Sequence, residues 1–240
     1  MNHRSMPVWI VVVAVFGLLG APAASAASDS PYLIAKKEFK NRIKSIALSP
    51  VIAHETLNLS SSMQSLVEAE ASARMNKTKL EVLGIEPYAQ LRATMIEQIG
   101  GLRTADGVVD PRREASVLDH TKREMRHRHQ VDAFAQLSIR VVRAAYADDR
   151  AEWDGIKQKV AKSGDGFALF GGPNYQGTIG AASFQLAIYD RSDQLLYLNR
   201  GGIEVLQERQ GDSLVLIDES TYLQDEKRLK KAVQLAFKGL

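Results

Sequence analysis

"VDAFAQLSIRVVRAAY", residues Val131 to Tyr146, decides how the chain folds. Val131, Ala133, Ala135, Leu137, Ile139 and Val141 occupy every second position. Successive strand side chains point to opposite faces, so this spacing predicts a strand with one continuously apolar face. A helix would place its apolar residues three and four apart. Strands of about 5–6 residues are usual, so a run this long predicts a strand that bends or extends past its sheet.

On the carboxy-terminal side, "SFQLAIY" alternates again through Phe184, Leu186 and Ile188. A turn at Asp190 to Asp193 and the returning "LLYLNRGGIEVL" complete a predicted hairpin, and Gly201-Gly202 in the return strand predicts a bulge. From about Gln224 a basic amphipathic helix follows, with Leu229, Val233, Ala236, Phe237 and Leu240 on one face. On the amino-terminal side, Ile46, Ala47, Leu48 and Val51 form a short apolar run interrupted by Pro50, the mark of a buried strand. Ser60 to Ser62 offer a helix N-cap ahead of Met63, Leu66, Val67 and Ala71. Leu80 to Leu83 reads as a second short strand, and Pro87 as the first residue of a helix carrying Tyr88, Leu91, Met95, Ile99 and Leu102, closed by Gly100-Gly101. Pro111 to His129 predicts a third, far more charged helix. The order β-α-β-α-α-β-β-β-α implies one α/β domain over residues 44–240, a mixed β-sheet flanked by helices, with a glycine-rich insert at about 147–180.

Ahead of the domain lie two further segments. Met1 to Arg4 is short and basic, Val8 to Gly20 is an apolar run of 13 residues, and Ala24-Ser25-Ala26 is a small-x-small cleavage signal. Together these predict a secretory signal peptide over residues 1–26, followed by a polar leader over 27–43. At about 1.5 Å per residue the apolar run is too short for a hydrocarbon core of about 30 Å, so no membrane span is expected in the mature chain. The chain contains no cysteine, which excludes disulfides, thiolate metal sites, a cysteine nucleophile and lipid attachment at an amino-terminal cysteine. A formal charge of +3 falls to +2 once Arg4 leaves with the signal, and the charges are interspersed, so nucleic acid is not an expected partner.

Four stretches invite a chemical reading. In "GGPNYQGT", Gly172 and Gly177 fit a phosphate-loop spacing. Thr178 stands where the loop needs lysine, however, and a strand follows where it needs a helix. The stretch is therefore expected to be a hairpin or sheet-edge loop, with Phe167, Phe170 and Tyr175 as partner-contact residues. "HTKREMRHRHQ" sets His127 and His129 on opposite sides of a helix, which disfavours a metal site. It predicts a solvated basic face, or one facing an acidic partner or a polyanionic glycan. "DDRAEWDG" gathers Asp148, Asp149, Glu152 and Asp154 in what reads as a loop, but without the order of a calcium loop. Trp153 in that polar setting is expected to pack down as a lid or to meet a partner. Two of these carboxylates, Glu152 and Asp154, would carry an alternative reading as a hydrolase of envelope glycans. The sequons at Asn58 and Asn76 matter only in a host that glycosylates exported proteins.

Taken in order, the elements resemble a group of bacterial envelope domains. "KSIALSPV" resembles the opening strand of the curli-secretion-protein-like periplasmic domain, a fold shared with periplasmic activators of penicillin-binding proteins and the amino-terminal part of the Tol translocation protein. "KLEVLGIEPYAQL", the aspartate of Val131-Asp132-Ala133-Phe134, "LAIYDRSDQLLYLNRG" and the basic terminal helix are similar to its later elements. The chain departs from the group in lacking a lipoprotein cysteine and in the length of the 147–180 insert, and channel-forming segments are not recognisable. The resemblance implies binding and scaffolding and brings no catalytic residues. The expectation is a soluble periplasmic accessory protein, non-enzymatic, needing no cofactor or metal. Its expected partners are other envelope proteins or further copies of itself.

Overall fold

The computed structural model describes residues 30–147, 149–160, 176–210 and 213–240. The chain is mixed α/β, a sheet flanked by helices, as the periodicities require. Its elements are α1 (Lys36–Arg42), β1 (Ser45–Leu48), β2 (Ile52–Ala53), α2 (Ser61–Met75), β3 (Glu81–Leu83), α3 (Ile85–Gln98), α4 (Pro111–His129), β4 (Ala133–Ala147), β5 (Arg150–Trp153), β6 (Ile156–Lys159), β7 (Gln176–Asp190), β8 (Leu195–Val205), β9 (Gln207–Gln210), β10 (Ser213–Leu216) and α5 (Glu226–Ala236). A single 3₁₀ turn, Glu219–Thr221, precedes α5. Among the described residues no helix is long and apolar enough to cross a membrane.

The caps follow the sequence. Ser60 Oγ accepts from Met63 N at 3.3 Å, Asp110 Oδ1 from Arg112 N at 2.9 Å and Asp225 Oδ1 from Lys227 N at 2.9 Å, each satisfying an N–H that a helix start leaves unpaired. Helix α3 begins at Ile85, so Pro87 sits third in the helix and not first. It is still within the first turn, where a missing N–H breaks no helical bond. Gly100 and Gly101 follow α3 with φ of 74° and 95°, which lets the chain turn away.

Strand β4 is the axis of the sheet. One edge pairs antiparallel with β7 over fifteen consecutive residues, from Ala133↔Asp190 to Ala147↔Gln176. The other edge carries β1 in parallel at Ala133 to Ala135, β2 in parallel at Ser138 and Ile139, then β5 antiparallel at Ala145 to Ala147. Strand β3 flanks β1 and β8 flanks β7. The predicted bulge falls just beyond the glycine pair, where Ala182↔Glu204 gives way to Ser183↔Gly202.

Odd-numbered β4 residues Ala133, Ala135, Leu137 and Ile139 join Phe184, Leu186 and Ile188 in the main core beneath α2 and α5. The opposite face has two separate covers. Helices α3 and α4 bury Phe134, Ala47, Tyr88, Leu91 and Met125 in a small second core. Val131, expected to share a face with Ala133, instead precedes the strand and joins this second core. At the far end Ala144, Trp153, Val160, Ile179, Ala181 and Val205 form a third. Burial therefore changes sides along β4: Val141 is 39% exposed and Ala144 is buried.

The third core exists because β5 and β6 form a hairpin that arches over the sheet. Strand β5 is bonded to β4, while the Asp154 carbonyl at its turn accepts from Gly202 N in β8 at 3.0 Å. The stretch around Glu152 is thus a hairpin and not a loop. Asp154 and Gly155 have φ of 40° and 80°, the positive values that a two-residue hairpin turn of this kind requires. The polar leader expected over 27–43 also contains core residues. Phe39 and Ile43 are 2% exposed, and Tyr32 bridges to Tyr197 beside β8 and packs edge-on to Phe39 at 5.2 Å.

Candidate functional site

Of the residues that the sequence singles out, Trp153 packs down. It is 6% exposed, and its indole Nε1 donates to the Ala182 carbonyl at 3.3 Å. Phe167, Phe170 and Tyr175 lie outside the described residues, as do Ala24 and Ala26 of the expected cleavage site. Of "GGPNYQGT", the last three residues open β7, with Gly177 paired to Tyr146. Glu152 is ion-paired with Lys157 at 2.9 Å, and Asp154 Oδ2 accepts from Ser183 Oγ at 2.6 Å. Different partners hold these two carboxylates, and neither cavity described below is lined by both.

On α4, Arg123 pairs with Asp119 at 2.6 Å, Arg128 with Glu124 at 3.1 Å and Lys122 with Asp193 at 2.8 Å, so much of its basic face is neutralised locally. Among the described residues no three His, Asp or Glu side chains come together as a metal site.

Between the helical cover and the hairpin cover, the sheet lies open. There a cavity of about 350 Å³ is walled by α3 and α4 on one side and β2 on the other, with β4 as its floor. The floor presents Gln136, Ser138 and Arg140, the even-numbered residues between the second and third cores. Arg92 of α3 and Glu114 of α4 supply charge from the helical wall, and His54 supplies a ring beyond the end of β2. Ile52, Pro111 and Leu118 make the rest apolar.

Ser138 is 3% exposed, and its Oγ accepts a long bond from Arg140 Nε at 3.4 Å. The same polar row continues across the sheet, since Ser138 pairs with Gln185 and Gln185 with Arg200. Arg200 Nε donates to Gln185 Oε1 at 3.0 Å. His54 Nδ1 contacts Thr56 Oγ1 at 2.9 Å, which steadies the ring at the mouth. Behind the wall, burial pushes the Tyr88 hydroxyl up to about 12, with the nearby Arg92 guanidinium pulling in the opposite direction.

Arg92 and Arg140 make no ion pair among the described residues, unlike Arg42, Arg74, Arg123, Arg128 and Arg191. A second hollow, of about 610 Å³, lies where β4, β5 and β7 meet, but its charged residues pair with one another or close by, Glu152 with Lys157 at 2.9 Å and Arg150 with Asp149 at 3.8 Å. Of these two cavities, the first holds positive charge without an ion pair among the described residues against a partly apolar wall. Such a wall can bind an oxyanion and exclude water from its apolar neighbour.

Sequence reasoning passed over Gln136, Ser138 and Arg140 as the solvent side of an alternating strand. The available signal was that Gln185, on the neighbouring strand, is polar on the same face. Two adjacent strands polar on one face mark a stretch that nothing covers.

No family model and no curated protein matches the chain. Among solved structures it is similar to one assigned as a neuraminyllactose-binding hemagglutinin homolog from Helicobacter pylori, at 7% identity and a TM-score of 0.29, over 90% of this chain and 86% of that one. At that score the overlap carries no argument about what this chain does.

Proposed function

We propose that the chain is an exported, non-enzymatic accessory protein of the bacterial cell envelope that works by contact with other proteins. The observation that carries this reading is the sheet surface left open between two covers, where Arg92 and Arg140 flank a cavity without an ion pair of their own among the described residues. A pair of guanidiniums without ion-pair partners among the described residues, beside apolar side chains, is the composition of a recognition surface, in which arginine and aliphatic contact act together. The signal-like amino terminus supports export, and the resemblance to curli-secretion-like periplasmic domains supports a scaffolding role.

Fractionation combined with site-specific photo-crosslinking in the source cells tests this. With the photoreactive residue at position 115, in place of Ala115 on the α4 wall of the cavity, the mature protein is expected in the periplasmic fraction, shortened by 26 residues, with a discrete crosslinked adduct. The same residue at position 143, on the opposite face of β4, is expected to give none. Recovery of the full-length chain from the cytosol, or no adduct from either position, refutes the reading.

A further inference from the structure

We propose that the cleft between α3, α4, β2 and β4 binds the carboxy-terminal residue of a partner polypeptide, an aliphatic side chain and its free carboxylate together. The proposal rests on the reading of the chain as a contact protein and specifies what the contact holds.

Four features of the cleft select this ligand. The first is charge. Two arginines, Arg92 and Arg140, face the cavity against one glutamate, Glu114, which leaves a single net positive charge. A carboxylate balances that charge, whereas a phosphate monoester near neutral pH would bring about two negative charges beside the Glu114 carboxylate. Second, guanidiniums arriving from two different elements, a helix wall and a strand floor, can donate to both oxygens of one planar carboxylate.

The third feature is the apolar wall. Ile52, Pro111 and Leu118 lie in the same small volume as the charges. The ligand must therefore carry its apolar group next to its anion, as a terminal valine or leucine does on a single residue. Fourth, Gln136 on the floor supplies an amide that a peptide unit can satisfy. A plain hydrocarbon chain would leave it desolvated and unpaired.

A volume of about 350 Å³ lies at the small end of ligand pockets and fits a terminal residue with its preceding peptide unit. Capture of a terminal carboxylate is an established mode of peptide recognition. Here side chains, not a backbone nest, would hold it.

The test is an NMR titration of the isotope-labelled mature chain with N-acetyl-glycyl-leucine. Three competing probes accompany it: the corresponding leucinamide, N-acetyl-aspartyl-methylamide and phenyl phosphate. The expected result is saturable shifts at the amides of Ala53, Ser138 and Arg140 with the free acid, at least tenfold weaker binding of the leucinamide, and weakening with added salt. Arg92→Gln and Arg140→Gln are each expected to weaken the acid tenfold or more, with Arg143→Gln indistinguishable from the parent.

Equal binding of acid and amide, shifts confined to other surfaces, or tighter binding of the aspartyl probe or phenyl phosphate would overturn the proposal. Should either glutamine variant lose its native spectrum, the acid-against-amide comparison on the parent chain decides alone. If the position-115 adduct forms while the free acid fails to bind, the terminal-carboxylate proposal falls and the broader contact reading stands. Absence of the adduct removes the broader reading itself.

Discussion

Asp190 shows how much one side chain can fix. It is 5% exposed, its Oδ1 accepts from Ser192 N at 2.9 Å, Ser192 Oγ at 2.8 Å and Gln194 N at 2.9 Å, and its Oδ2 meets the Arg42 guanidinium. Burial alone would raise its pKa, but the bonds from Ser192 and Gln194 and the charge of Arg42 outweigh that and hold it below the usual carboxylate range. A carboxylate whose folded pKa is depressed contributes stability above its unfolded value, near 3.9, and loses it as pH falls through the folded value. Asp190→Asn should therefore cost about 1.5–3 kcal/mol in urea unfolding at neutral pH, a deficit that shrinks below about pH 4. A deficit of constant size across that range would show that Asp190 acts by shape alone. Trp153 makes a second prediction at this scale, because it is the only tryptophan outside the amino-terminal apolar run. Its fluorescence should be blue-shifted in the native chain, and Trp153→Ala should cost about 3–5 kcal/mol as the third core loses its largest member. At this scale the sequence told that Trp153 packs down or meets a partner, and burial chooses the first. It did not tell that Ser138 and Arg140 line a cleft, because alternation shows which side of a strand is polar and not whether anything covers that side.

Among the elements, the Gly201-Gly202 pair has consequences on both sides of the sheet. A methyl at Gly201 would collide with the Ala232 carbonyl of α5, and one at Gly202 would stand 2.9 Å from Trp153 Nε1 and closer still to Ile156. Helix α5 and the β5–β6 hairpin both approach the β8 backbone there, and only hydrogen atoms fit between. Gly201→Ala is thus expected to push α5 outward and cost at least about 2 kcal/mol, and Gly202→Ala to loosen the hairpin instead. Thermal unfolding of the two variants, with Trp153 fluorescence as the local readout, separates them: an early fluorescence change is expected only at Gly202. The bulge beside this pair was legible from the two glycines. The hairpin was not, since its inward side is only Ala151, Trp153 and Ile156, with the polar Gln158 next in line, between charged Arg150, Glu152, Lys157 and Lys159, and a pattern so short does not stand out from a loop. Helix α1 was hidden for a related reason. Phe39 is its single buried residue, among three lysines and two other charged side chains.

On the scale of the molecule, the described residues divide among three cores of unequal size along one pair of strands. Ala133 to Ala135 of β4 are buried on both faces and Leu137 and Ile139 face the main core alone, whereas the distal half depends on the small core around Trp153. Native-state hydrogen exchange should resolve this. Amides of Leu137 and Leu186 are expected to exchange only by global unfolding, and those of Ala145 and Thr178 earlier, through opening of the distal end. Uniform protection along the ladder would contradict a division into separate units. The fold class was legible because long alternating runs leave few arrangements open. The two-part cover of the second face was not, since it depends on which distant segments return to the sheet.

The main core opens with Tyr32 and is completed by Ala236 and Phe237, with α5 lying directly on β8. A polypeptide that emerges amino-terminus first from a ribosome can close the small core around Tyr88 and Phe134 early, but it cannot seat the last side chains of the main core until residue 237 is out. The largest core is therefore the last to be sealed, and the sealing waits on the final helix.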